Sequence, residues 1–284
     1  MEYVKANKKA LGIWFGLIIV FLAGSVMTGG AHSNESLRES MRDAVLHETN
    51  RISLFGIIEV NPAFISAIIM TVVLLLFAVI IRVFIIPKFT YVPGKFQLVL
   101  ETAVGYFDKL AKTNSPHRNG ALGGYIFGAG TYICLSTLFE LFGLQVMSTA
   151  GASVSLPAPL SDINAAIAMG VLSYLFIMTG GIAGNGVKGI GLTLKEFSLP
   201  ISMSFRLFGA LLSGLLVTEL VYHMIFLSFV FPVLVGIMFT LMHALIQAYV
   251  LTMLVAIFYG EVSEPHHKKD KKADKKVNAE AKAA

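Results

Sequence analysis

The chain has 284 residues, of which 56% are hydrophobic and 14% charged, with a mean hydropathy of +0.75 and a net charge of +5. That balance belongs to a polytopic membrane protein and excludes an ordinary soluble domain. A single cysteine, Cys134, in an apolar segment excludes a disulfide framework and a cysteine-based metal site.

The first hydrophobic stretch covers about 10–27. Lys5, Lys8 and Lys9 precede Leu11–Met27, and the small residues Gly29, Gly30 and Ala31 follow. This is the layout of a signal peptide cleaved after Ala31, and it equally suits an extra, uncleaved N-terminal transmembrane helix over residues 1–31. Residues 32–60, with Arg38, Arg42 and Arg51 among several acids, read as a short polar segment outside the membrane with some amphipathic helix.

A membrane domain over 61–262 follows. Its hydrophobic stretches lie at about 62–86, 121–145, 164–183, 197–218 and 221–260, each long enough for the roughly 20 residues a span requires. Lysine and arginine crowd one set of connections. Arg82, Lys88, Lys95, Lys109, Lys112 and Arg118 lie in 82–121, and Lys188 and Lys195 in 181–197, whereas 143–162 and 218–231 carry neither type. Positive-inside bias therefore places 87–120, 184–197 and the C-terminus in the cytoplasm. In 221–260, Pro232 is the strong breaker, which predicts a turn and then one helix over 232–260. Such a helix runs to roughly 43 Å against about 30 Å of hydrocarbon, so it must tilt. The fold class expected is an all-α polytopic membrane protein. Five core transmembrane helices end in a strongly tilted hairpin, 197–218 and then 232–260. The tail, 263–284, carries seven lysines from Lys268 to Lys282 and reads as a disordered anchor near anionic lipid rather than a nucleic-acid arm.

One residue conflicts with this apolar setting. Arg206 is the sole basic side chain between Lys195 and Lys268, within Ser-Leu-Pro-Ile-Ser-Met-Ser-Phe-Arg-Leu-Phe-Gly. A guanidinium stays charged at any working pH, and at bilayer depth it costs roughly 2.5–3.5 kcal/mol on insertion scales. It needs a partner for its charge. Glu140 and Glu196 are the carboxylates of this chain that could reach it, and otherwise the partner is another subunit. Ser202, Arg206 and Ser213 share a helical face, with Gly209 and Ala210 keeping the surface low. Thr240, His243 and Gln247 stand three and four apart on the last helix and read as a hydrated path or as satisfied core residues. Glu219, thirteen residues after Arg206, lies about 220° round the helix toward the outer end. It is either an ion-entry carboxylate or a solvated helix-end residue.

Arg206-Leu207-Phe208-Gly209, with Pro200 six residues earlier and Gln247-Ala248-Tyr249 following, resembles subunit a of the rotary F-type ATP synthase. Val92-Pro93-Gly94-Lys95-Phe96-Gln97, Ser161-Asp162-Ile163-Asn164 and the stop after Tyr259-Gly260 agree, so the resemblance covers about 60–262. It implies an ion-conducting stator of the Fo sector, not itself an enzyme, with no cofactor and no metal. The implied partners are a c-subunit ring bearing one carboxylate per subunit, peripheral-stalk b subunits, the F1 head indirectly, and membrane lipid. Nucleic acid is not among them. The implied residence is a bacterial plasma (inner) membrane with the C-terminus cytoplasmic. Two half-channels would carry protons, or sodium, to and from the ring. Arg206 would stabilise the ionised carboxylate and block leakage, and Gln247 would orient it. Candidates for lining the half-channels are Glu219, His243, Thr240, Ser202, Glu196, Asn164, Asp162 and Glu140.

The chain departs from the family pattern in several places. Ala210 replaces a frequent Asn, Leu215 a frequent acid and Thr240 a frequent His or Glu, and the acid before Arg206 is Glu196 at ten residues rather than about fourteen. A self-contained transporter is the rival reading, but no internal repeat supports it. A membrane scaffold would tolerate Arg206→Leu. No phosphate-cradling loop, nucleophile–base pair or metal-ligand spacing points to an enzyme.

Overall fold

A computed structural model gives the fold for positions 12, 15, 16, 19 and 20 and for residues 52–54, 58–147, 153–223 and 231–265. The choice between signal peptide and extra helix in 1–31, and most of the 263–284 tail, lie outside the described residues. Five helices are long and apolar enough to cross a membrane: Pro62–Lys88, Gly120–Phe142, Ile163–Asn185, Ser198–Thr218 and Val233–Ser263.

α1, Pro62–Ile80, starts at Asn61, whose Oδ1 accepts a hydrogen bond from Ala63 N at 3.0 Å, with Pro62 at the first helical position. It is apolar all round and buries only Pro62, Ala63, Ser66 and Met70, so the rest of its surface suits lipid. A π turn, Ile81–Ile85, and a 3-10 turn, Ile86–Lys88, lead it out to the connection. α2, Lys95–Asn114, fills much of the 87–120 loop as an amphipathic helix, and α3 follows at Gly120–Leu138.

α4, Ile163–Asn185, is capped by Asp162, whose carboxylate accepts from Asn164 N at 3.1 Å. Gly186 then takes φ +59°, a turn that a side chain would strain, and α5, Val187–Lys195, starts at once. The Tyr174 hydroxyl donates to Thr193 O at 2.9 Å and holds α5 against α4. α6, Ser198–His223, packs chiefly on α4. α7, Phe231–Ser263, packs along α3 and α4. At 33 residues α7 is longer than the 232–260 expected, close to 50 Å, and tilt across an apolar slab about 30 Å thick follows from length alone.

Two short antiparallel hairpins were not expected. β1, Ile52–Leu54, pairs with β2, Ile58–Val60, within the segment read as polar and partly helical. β3, Gln145–Met147, pairs with β4, Ser153–Ser155, in the connection between α3 and α4. Each strand has three residues, too short for alternating hydrophobicity to register in sequence.

The core lies among α3, α4, α6 and α7. It includes Leu122, Ile126, Ile133, Ile177, Met203, Leu207, Val255 and Tyr259. Tyr125, Phe176 and Tyr259 stack through it, with ring centroids 4.0 and 5.2 Å apart along the series. Close helix contact is built on small residues. A Cβ at Gly170 would sit 2.9 Å from Pro200 O, so α4 and α6 meet backbone to backbone one and a half turns before Arg206.

Candidate functional site: the Arg206 face and the Glu140–His243 cleft

The burial pattern of α6 decides where Arg206 points. Leu199, Met203, Leu207 and Leu211 recur every four residues and are buried, which turns that stripe to the core. Ile201, Ser202, Phe205, Arg206, Gly209 and Ser213 occupy the opposite side and are exposed. The Ser202–Arg206–Ser213 stripe expected from spacing is thus the open face of the helix. Among the described residues no hydrogen bond or ion pair reaches the guanidinium, and the Lys112–Asp108 ion pair, at 2.5 Å, lies far along the chain on α2. Neither Glu140 nor Glu196 is its partner. Glu196 is half-buried at the end of α5, where its carbonyl accepts from Leu199 N.

α7 turns its polar residues the other way. Thr240, Ala244, Gln247, Ala248, Leu251 and Val255 are buried, while Leu241, Leu245, Ile246 and Tyr249 are exposed. Gln247 is 7% exposed, and its Oε1 has no hydrogen-bond partner. The sequence paired Gln247 with Arg206. Here the two are not hydrogen-bonded, because one side chain faces the core and the other faces out.

At the α6–α7 end, a cleft of about 290 Å³ opens between those helices and the end of α3. Glu140, Thr218, Thr240 and His243 supply its polar lining, and Leu211 and Gly214 its α6 wall. Gly214 makes room for the imidazole, since a Cβ there would stand 3.3 Å from His243 Nδ1. Phe239 contacts the same ring edge-on at a centroid distance of 5.7 Å. Gly214 therefore stands level with His243. Counting along antiparallel helices from that level, Gln247 lies about 6 Å deeper and Arg206 about 12 Å deeper in the same direction. The order by depth is cleft, Gln247, Arg206.

Of the residues singled out in sequence, Glu140, Thr240 and His243 converge on this cleft, although 100 residues separate the first two. Asp162 and Asn164 do not join them: Asp162 Oδ1 caps α4 and also accepts from Asn164 Nδ2 at 3.2 Å. Ser202 stays on the open face. Glu219 lies in α6, with its side chain outside the described set. Thr218 was missed. It stands four residues beyond Gly214, and its hydroxyl donates to Gly214 O at 2.9 Å. That spacing from Leu211 through Gly214 to Thr218 was visible, but only the placement of α7 gives it meaning. Among the described residues, no group of three or more His, Cys, Asp or Glu is placed to hold a metal.

The fold and site together define a multi-pass helical membrane protein with an exposed cation within one apolar span and a polar cleft between its helices. The family model described as "ATP synthase A chain" matches residues 64–260, and the chain belongs to that family. It is 32% identical over 124 residues to "ATP synthase subunit a, chloroplastic" of Bigelowiella natans. That alignment covers 39% of this chain and 49% of the relative, so the chain spans about half the length of the curated relative it matches. The relative is chloroplastic, whereas the sequence pointed to a bacterial membrane.

Proposed function

We propose that the chain is the ion-conducting stator subunit of an Fo sector, passing protons between its half-channels and the carboxylates of a c-subunit ring. The observation that carries this reading is the exposed Arg206 on an apolar face of a membrane-depth helix, without a partner among the described residues. A guanidinium so placed calls for an acidic partner that the described residues do not supply, and a ring carboxylate would supply one. The exposed faces of α6 and α7, with Ile201, Phe205, Leu241 and Leu245, offer the surrounding contact surface.

In this mechanism the cleft of Glu140, Thr218, Thr240 and His243 is the outer half-channel. Glu140 and His243 pass a proton inward, and Gln247 marks the inner end of the polar path. A ring carboxylate arriving protonated from lipid meets Arg206, releases its proton toward the opposite half-channel, and is held ionised by the guanidinium. Arg206 also repels a proton attempting to pass directly between the half-channels. One charge crossing 100 mV releases about 2.3 kcal/mol, and rotation sums such steps for ATP synthesis elsewhere in the complex. Peripheral-stalk b subunits hold the stator against rotation. The membrane is a bacterial plasma membrane, with the Lys-rich tail in the cytoplasm.

The test is ATP-driven ion uptake in inverted vesicles carrying the whole complex, with pH and sodium recorded separately for wild type and Arg206→Ala. Loss of uptake with ATP hydrolysis retained supports the mechanism and names the ion. Normal uptake by the variant refutes it.

A further inference from the structure

Beyond the ion path, a second concave site lies between the end of α1 and the start of α2. It has a volume of about 480 Å³, and its walls include Phe84, Ile85, Lys88, Phe89, Lys95 and Phe96. We propose that this groove binds the headgroup phosphate of an anionic phospholipid, with the acyl chains lying along α1. The proposal is independent of the ion-translocation reading.

Three observations converge on an amphiphilic anion. Lys88 and Lys95, from opposite sides of the connection, are brought into one groove, and among the described residues neither has an ion-pair partner. Two ammonium groups without an ion-paired carboxylate fit a single phosphate better than they fit each other. The groove is also preformed. Gln97 clasps the loop through Thr90, its Oε1 accepting from Thr90 N at 3.2 Å and its Nε2 donating to Thr90 O at 2.9 Å. The same Nε2 donates to Glu101 Oε1 at 2.7 Å, so the nearby carboxylate on α2 is engaged within its own helix.

The floor explains why the ligand is a lipid rather than free phosphate. Phe84 and Ile85 continue through Val83 of the π turn into the exposed apolar surface of α1, where Leu76, Val79 and Ile80 face outward. A headgroup between the lysines therefore has a largely apolar surface beneath it, with Arg82 the one exposed charge in the Ile81–Ile85 turn. Tyr91 and Val92 of the same loop are exposed, and a tyrosine there suits the polar interface of a membrane.

The experiment uses the full chain in detergent, titrated with phosphatidylglycerol or phosphatidylcholine of identical acyl chains, with bound lipid counted by native mass spectrometry. Wild type is compared with Lys88→Gln/Lys95→Gln and with Lys188→Gln/Lys195→Gln. The second pair removes the same charge from two exposed lysines of α5, outside the groove. One phosphatidylglycerol per chain is expected, held in preference to phosphatidylcholine and not displaced by millimolar inorganic phosphate. It should weaken on the order of 30-fold in the groove variant alone. Equal weakening in both variants refutes a defined site and leaves diffuse attraction. Displacement by inorganic phosphate refutes the lipid assignment, and so does equal binding of phosphatidylcholine. Unchanged helix content and elution volume of the variants exclude misfolding as the cause.

Discussion

Gly170→Ala tests whether the α4–α6 contact sets the position of Arg206. A Cβ at residue 170 would lie 2.3 Å from Ser204 Oγ, 2.9 Å from Pro200 O and 3.2 Å from Ser204 N. The hydroxyl can rotate away, but it now donates to Pro200 O at 2.6 Å, and giving up that bond costs about 0.5–1.5 kcal/mol. The Pro200 carbonyl cannot rotate. Ordinary contact starts at 3.4 Å, so α6 must retreat by about half an ångström. Overpacking of this kind costs roughly 1–3 kcal/mol, which a bundle of this size survives. The functional cost is larger. Arg206 sits six residues beyond Pro200 on the same rigid helix and moves with it. A misplacement of 1 Å at a working group can cost ~10²-fold, so half that shift should lower ion uptake by about tenfold. The assay is ATP-driven uptake in inverted vesicles, normalised to assembled complex. Gly170→Ala/Ser204→Ala should recover little of the loss, because it removes only the rotatable hydroxyl and leaves the Pro200 carbonyl and Ser204 N in place. Gly128→Ala, which meets nothing within 4 Å, should behave as wild type. Full activity in Gly170→Ala would show that this crossing does not set the position of Arg206, and the reasoning would fall.

On the proposed mechanism Glu140→Gln and His243→Ala should each depress ion uptake on the order of 10²-fold while ATP hydrolysis persists, since each removes a titratable group from the cleft. Asn164→Ala, which alters only the capped start of α4, should leave uptake near wild type in the same assay. Asn185→Ala should destabilise the end of α7. Its Nδ2 donates to Val262 O at 3.0 Å and to Glu264 O at 2.8 Å, so loss of both bonds costs about 1–3 kcal/mol, read as earlier unfolding in a denaturant series.

The spans were legible because apolar length is a crude signal that survives any detail of packing. Family membership was legible from a few residues round Arg206 and Gln247, and the match over 64–260 bears it out. Helix faces were half legible. Spacing grouped Ser202 with Arg206 and Thr240 with Gln247, but periodicity cannot say which side of a helix meets protein and which meets lipid when both are apolar. That is why the expected Arg206–Gln247 hydrogen bond is absent here. Of the cleft, Glu140, Thr240 and His243 were legible as separate candidates, but their meeting was not. Glu140 and His243 lie 103 positions apart in the chain, and only the return of α7 past the end of α3 brings them together. The hairpins of 52–60 and 145–155 carry three-residue strands, shorter than any pattern can report.

The opposed orientations of Arg206 and Gln247 suit a relay better than a fixed pair. A buried carbonyl oxygen without a donor costs about 1–3 kcal/mol, and Gln247 Oε1 is in that state. A guanidinium offers five donors on a long stem, and about 6 Å of axial rise separates the two side chains. On the proposed mechanism an ionised ring carboxylate outcompetes the neutral amide for Arg206, since a charge-assisted bond is roughly twice as strong as a neutral one. When the carboxylate is protonated that advantage disappears, and Gln247 becomes the better acceptor. Arg206 would then swing inward as the ring acid is neutralised and outward as it ionises, so a single proton transfer opens and closes the contact. A permanently tight Arg206–Gln247 pair would hold the guanidinium back from the ring and forfeit that alternation. On the proposed mechanism the exposed arginine and the orphaned glutamine thus await the same component, the titratable carboxylate of the ring.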